Sequence, residues 1–257
     1  MEFDAWIRNE TATYCLEIAR VTGLVMIAPI PWVNAPKRVK AGLAMLLAFI
    51  AHGYAGVPDA VNTPVGMALG IGSELLIGGA MGLVVLFTIA TVEVLGDIVS
   101  PSMGFGMAQV LDPTSHTQVS VVTTMFRYFA LLIALMAGAH RVMIAALLAS
   151  FQAIPAGTLI NPGALFPRFL DLSNLVLVTG VRFALPVLAV LFMVQLALGF
   201  VSRAAPAMQI FSVGFAVTLA VGALVLLTAL PDLGVLIVNE TGRVGSRLES
   251  VLVELSP

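Results

Sequence analysis

The sequence predicts an all-α, membrane-associated protein, and three observations carry that prediction. Apolar residues make up 60% of the 257 residues and charged residues only 10%. A soluble domain runs near 45–50% and about 25%, so this chain has too few charges to cover a soluble surface. Second, the apolar residues fall in six long stretches, at 11–30, 41–57, 65–92, 125–154, 173–201 and 208–230. Their lengths suit helices, and none shows the alternation of a strand. Third, proline and glycine punctuate the breaks between them, as at 29–40, 57–64, 93–124, 154–169 and 202–206. The net charge of −2 argues against a nucleic-acid binder, which presents a basic face. Cys15 is the single cysteine, so neither an internal disulfide nor a cysteine-based zinc site is expected.

The opening MEFDAWIRNE is acidic, unlike the positive start of a cleavable signal, so the first helix is expected to be retained. Trp6 and Trp32 flank it in the manner of interface aromatics. Within it, Glu17 and Arg20 lie three residues apart, hence on one helical face where they can partly neutralise each other. A charge at membrane depth costs about 2.5–3.5 kcal/mol, so both are expected buried against protein or water rather than lipid. Lys37, Arg38 and Lys40 crowd the first connector and Arg203 lies in the fifth. Six crossings put both connectors on the cytoplasmic side and the N-terminus outside.

Several stretches make poor simple spans. His140 and Arg141 divide the fourth into pieces too short to cross about 30 Å of hydrocarbon. Arg182, expected buried, and Pro186, expected to kink the helix, interrupt the fifth. Broken or charged helices persist at membrane depth when packed in protein, so a multi-subunit assembly is expected. The connector 154–169, with Pro155, Pro162 and Pro167, is the best boundary between two halves.

Gly66, Gly70, Glu74, Gly78 and Gly82 recur every four residues and form one ridge, bare except at Glu74. Such a ridge lets two helix backbones approach closely, within the chain or toward a neighbouring subunit. A carboxylate in that seam calls for a partner: a hydroxyl, an amide or an arginine.

The stretch 97–120 is the least hydrophobic long segment between helices. In it Met103, Phe105 and Met107 alternate with Gly104 and Gly106, followed by Ala108, Gln109, Val110, Leu111 and Asp112. Glycine supplies backbone freedom and methionine supplies deformable apolar bulk. The pair suits a seal that parts around a passing chain; an ordinary loop with apolar anchors fits the composition equally. GFGMAQ lacks the third glycine of a dinucleotide loop, and no strand precedes it. Asp112 and His116 are too few ligands for a metal, and Asp112-Pro113 reads as a turn. The sequence has no GxxxxGK[ST], HExxH or GxSxG, so neither cofactor nor enzymatic activity is expected.

Taken in order, these motifs resemble the FliR family of flagellar type III export-gate subunits and its injectisome counterparts, with the flagellar branch favoured. The resemblance is carried by ARVTGLVMIAPIPWVNAPKRVKAGLAMLLA (19–48), GSELLIGGAMGLVV (72–85), MGFGMAQVLDPTSHTQ (103–118), MAGAHRVMIAALLASFQAIPAG (136–157) and SRAAPAMQIFSVGFAVTLAVG (202–222). It implies a non-enzymatic subunit in the bacterial inner membrane, at the flagellar basal body. Residues 1–170 would be FliP-like and 171–257 a FliQ-like hairpin with a tail. The partners implied are FliP, FliQ, FlhB, FlhA and rod-base components, and the cargo unfolded rod, hook and filament subunits. The family's channel plug falls on Met103 to Gln118. Val244, Leu248, Val251 and Leu252 share one face of the tail, with Arg247, Glu249 and Glu254 off it, so a packing helix is expected. The alternative is a small-solute or ion transporter, with Glu17, Arg20, Glu74, His140, Arg141 and Arg182 marking its pathway. An internal repeat of the glycine ridge, which such a transporter favours, is absent from the second half of the sequence.

Overall fold

The computed structural model describes residues 2–32, 35–54, 63–105, 120–204 and 210–255, with side chains over the same residues apart from 2–9, 54 and 210–212. The described residues form helices and no strands. They are α1 (Glu2–Ile27), α2 (Lys37–Ala51), α3 (Pro64–Ser102), α4 (Val121–Met136), α5 (Ala139–Ala153), α6 (Leu165–Ala204), α7 (Ile210–Gly242) and α8 (Val244–Leu255). Short 3-10 turns follow α2 at His52–Tyr54 and precede α6 at Pro162–Ala164. The all-α, membrane-type architecture is the one read from composition and periodicity.

The chain divides into two compact units. One comprises Met1–Thr88, Ala134–Ser173 and Glu240–Pro257; the other comprises Ile89–Ile133 and Asn174–Asn239. In the first, α2 runs back along α1, so that Ile18, Thr22 and Met26 share a small pocket with Lys40, Ala44 and Met45. The tail helix α8 packs on α5, with Gly245 3.4 Å from Val142 measured from where a β-carbon would stand. Val244, Leu248, Val251 and Leu252 are buried, as the helical face predicts. Arg247, expected off that face, is buried too, because Glu240 accepts a hydrogen bond from it at 2.6 Å.

Among the described residues, three helical segments are long and apolar enough to cross a membrane: Pro64–Ser102, Pro162–Ala204 and Val213–Leu255. The bent pair α4–α5 makes a fourth if taken as one span. Six crossings were expected, and α1 and α2 are the two that fall short. The first carries Glu10, Glu17 and Arg20 along its length. The second has 15 residues, about 22 Å of helix against about 30 Å of hydrocarbon.

The predicted break in the fourth stretch is present as a 65° bend between α4 and α5. It sits at Gly138, whose φ of +84° is left-handed and costs a glycine little. Two other expectations need correction. The third connector was placed at 93–124, but α3 continues to Ser102, because Ile89, Val92 and Val99 bury one side of it. Pro186, expected to kink the helix, lies inside α6, which is continuous from Leu165 to Ala204. Trp32 is buried rather than set at a lipid interface, while the Trp6 side chain lies outside the described residues.

Candidate functional site

In the first unit the glycine ridge of α3 meets α1. A β-carbon on Gly78 would overlap the carbonyl group of Arg20, and one on Gly82 would lie 2.9 Å from Ile27 Cβ. Gly70 faces Leu16 at 3.2 Å, and Gly23 of α1 answers with 2.5 Å to the Leu75 carbonyl oxygen. The two backbones touch, which only hydrogen-sized side chains permit. Gly66 lies in the first turn of α3, where its N–H donates to Thr63 Oγ1 at 3.0 Å as in a helix cap.

Glu74, the one side chain on the ridge, is wholly buried against wholly buried Arg20. Arg20 Nε donates to Glu74 Oε2 at 2.5 Å and Nη2 donates to Oε1 at 3.0 Å. The remaining guanidinium protons reach Ser150 O at 2.9 Å, Ser150 Oγ at 3.2 Å and Ile154 O at 2.9 Å. Gly157 N–H adds a second donor to Glu74 Oε1 at 2.8 Å. The Phe151 ring lies 4.3 Å from the guanidinium carbon, a cation–π distance. This fully satisfied network ties α1, α3 and α5 to the turn at 154–157. A buried pair tolerates desolvation only with such additional hydrogen bonds.

The expected partial compensation of Glu17 by Arg20 acts through charge alone, without a hydrogen bond between them. Arg20 turns to Glu74, and Glu17 pairs with His52, whose Nδ1 lies 3.1 Å from Glu17 Oε2. His52 Nε2 lies 3.0 Å from Glu10 Oε2. Arg182, expected buried, is exposed on this chain. Helix α6 buries the narrow stripe Ala184, Val187 and Leu191, and at about 100° per residue Arg182 points roughly opposite to it.

In the second unit, α3 ends where the candidate plug begins. Met103 is 2% exposed and fills the space beside Gly222 of α7, where a β-carbon would lie 2.8 Å from the Met103 side chain. Gly104 takes φ +95° under the Phe215 ring, so the chain leaves the helix through a conformation that suits glycine. Gln195 of α6 donates to Ser102 O at 3.1 Å. Phe105 then borders an apolar cavity of about 300 Å³, lined also by Met103, Val122, Met125 and Phe126, and by Leu219, Ala223, Leu226, Leu227 and Leu230 of α7. On the far side Ser120 accepts from Val122 N–H at 3.1 Å, capping α4, and its hydroxyl bonds that of Ser100. Thr123 donates to Asp97 at 2.7 Å. Both ends of the loop are thus fixed to one unit. Gly106, Met107, Ala108, Gln109, Val110, Leu111 and Asp112 of the candidate plug, and the rest as far as Gln118, lie outside the described residues.

The family model described as bacterial export proteins, family 1, matches residues 11–244. The chain belongs to that family. It is 34% identical to flagellar biosynthetic protein FliR of Escherichia coli over 85% of this chain and 84% of that one. It is 30% identical to FliR of Pectobacterium carotovorum over 100% of this chain and 99% of the relative. FliR of Bacillus subtilis is 29% identical over 80% of this chain and 81% of its own length. This export-family chain is accordingly a component of the flagellar export apparatus, in agreement with the motif order of its sequence.

Several members of these constellations carry no sequence signal of their own. Ser150, Phe151 and Gly157 lie in an ordinary apolar run and its turn, and their service to Arg20 and Glu74 exists only through long-range packing. His52 was open to discovery: Glu10, Tyr14 and Glu17 recur at helical spacing, presenting two carboxylates on one face to a partner.

Proposed function

We propose that this export-family chain is a non-enzymatic subunit of the flagellar type III export gate in the bacterial inner membrane. In this reading it lines the channel crossed by unfolded rod, hook and filament subunits, and Met103–Gln118 plugs that channel. Residues 1–170 form a FliP-like part and 171–257 a FliQ-like part. FliP and FliQ complete the assembly, with FlhB and FlhA on the cytoplasmic side and rod-base components on the outer side.

The observation that best supports the plug is the anchoring of its first residues. Met103 is sunk beside Gly222, Gly104 makes the turn, and Phe105 opens onto a wholly apolar cavity. Apolar, deformable groups around a gap exclude water and ions while yielding to a chain that enters. Three of the six residues that motivate the transporter alternative are paired within the chain, Arg20 with Glu74 and Glu17 with His52.

Deleting residues 104–108 is expected to raise ion leakage through the inner membrane of cells that still assemble the complex. Conductance across the membrane, measured beside a pull-down for FliP and FliQ, checks this. Unchanged permeability in a complete assembly would reject the plug. A chain that purifies alone and moves a small solute would favour the transporter.

A further inference from the structure

Glu10, Glu17 and His52 form a second ionisable cluster, and none of the roles discussed above uses it. Two carboxylates on one face of α1 flank a single imidazole from the turn that ends α2. Both ring nitrogens are engaged, Nε2 at 3.0 Å by Glu10 and Nδ1 at 3.1 Å by Glu17. With two anionic acceptors, the ring satisfies both contacts only as a cation that donates from each nitrogen. The Tyr14 ring stands edge-on to the imidazole at 6.0 Å, and its hydroxyl donates to Met45 O at 3.1 Å, which places the cluster on the α1–α2 seam. The burial is graded: the His52 and Glu10 side chains are 40% and 39% exposed, whereas Glu17 is 0% exposed. A proton is therefore exchanged with solvent at His52, and the group that depends on it is the enclosed Glu17.

We propose that this cluster is a protonation-controlled latch that holds α2 against α1 when His52 carries a proton and releases it when the proton is lost. In the charged state one imidazolium neutralises an enclosed carboxylate and a half-exposed one. In the neutral state Glu17 is left anionic inside the seam with at most one donor facing it, an arrangement the protein relieves by parting the helices. The charged groups that act on Glu17 are His52, Glu10 and Arg20, and those acting on His52 are Glu17 and Glu10. Helix α5 also packs on the 52–54 turn, and its ionisable residues, His140 and Arg141, lie in its first turn. Arg20 is committed to Glu74 and gives Glu17 no hydrogen bond in place of His52.

The hydrogen bond to Glu17 raises the imidazole above its ordinary 6.5, against an opposing effect of desolvation. Burial raises the Glu17 carboxyl above its ordinary 4.5, with His52 pulling the other way. Both shifts mean that the closed form binds protons more tightly than the open one. The latch is therefore fully closed below the ordinary imidazole value and is lost as pH climbs through the raised one.

The full-length chain in detergent or nanodiscs tests this with spin labels on native Cys15, which is exposed, and on a cysteine replacing exposed Phe49. The expected result is one sharp distance at pH 6 that broadens and lengthens by pH 9. His52→Gln should give the open distribution at both pH values, and His52→Lys, charged throughout, the closed one at both. In parallel, the His52 ring followed by NMR should titrate above the free-imidazole value, and Glu17→Gln should lower that midpoint by about one pH unit. A distance that ignores pH in the wild-type chain, or pH dependence that persists in His52→Gln, would overturn the latch.

Discussion

Gly78→Leu is expected to eliminate the folded subunit, and with it any export-gate assembly. At Gly78 the first side-chain carbon would already occupy the Arg20 carbonyl group, and the next nearest atoms are also backbone. A clash with a side chain can be relieved by rotation, but a clash with backbone requires α1 and α3 to separate. Separation would break the Arg20–Glu74 bonds four residues away and open the reciprocal contact at Gly23. Overpacking a core by ordinary side chains costs about 1–3 kcal/mol. Here the cost is several kcal/mol, a large share of a total stability of about 5–15 kcal/mol. Even Gly78→Ala should fail. Gly72→Leu is the matched control, since nothing lies within 4 Å of a β-carbon there. Membrane accumulation of the tagged chain and pull-down of its partners check the pair. Normal assembly of Gly78→Leu would show that α1 and α3 are not in contact.

Breaking the buried ion pair is the second large effect. Glu74→Leu strands the Arg20 guanidinium in a site with 0% exposure and removes the acceptor of Gly157 N–H. Removing one partner of a buried pair costs about 3–5 kcal/mol, most of it the penalty of the charge left behind. Arg20→Met should cost a similar amount by stranding Glu74. The double variant Arg20→Met/Glu74→Leu removes both charges and should recover most of the loss, although Ser150 O and Ile154 O lose a donor. Thermal unfolding of the four chains in detergent closes a double-mutant cycle. Additive losses would mean that the two residues do not act as a pair.

These two predictions show how unevenly the site can be read from sequence. The fourfold glycine spacing is an arithmetic property of the chain, so a close helix contact was legible, as was the need of Glu74 for a partner. An arginine was among the partners anticipated. Which arginine was not legible, because Arg20 and Glu74 are 54 residues apart and proximity along the chain suggested Glu17 instead. Glu17 found His52 across the α1–α2 seam, and Arg182 lay off the buried stripe of its helix. The loop root has the same character: Met103 and Gly104 stood out by composition, whereas Gly222 and Phe215 gained meaning only when α7 was brought beside them.

What the sequence alone determined about this protein is its class: helices, membrane association, the export family and the bare ridge. Those properties follow from composition, period and motif order, each a local or summed quantity along the chain. The tertiary structure decided every pairing: which charge meets which, which face of α6 is covered, and what holds the base of the loop. Those outcomes depend on bringing distant segments within a few ångströms, and a buried charge takes the partner that packing supplies rather than its neighbour in sequence.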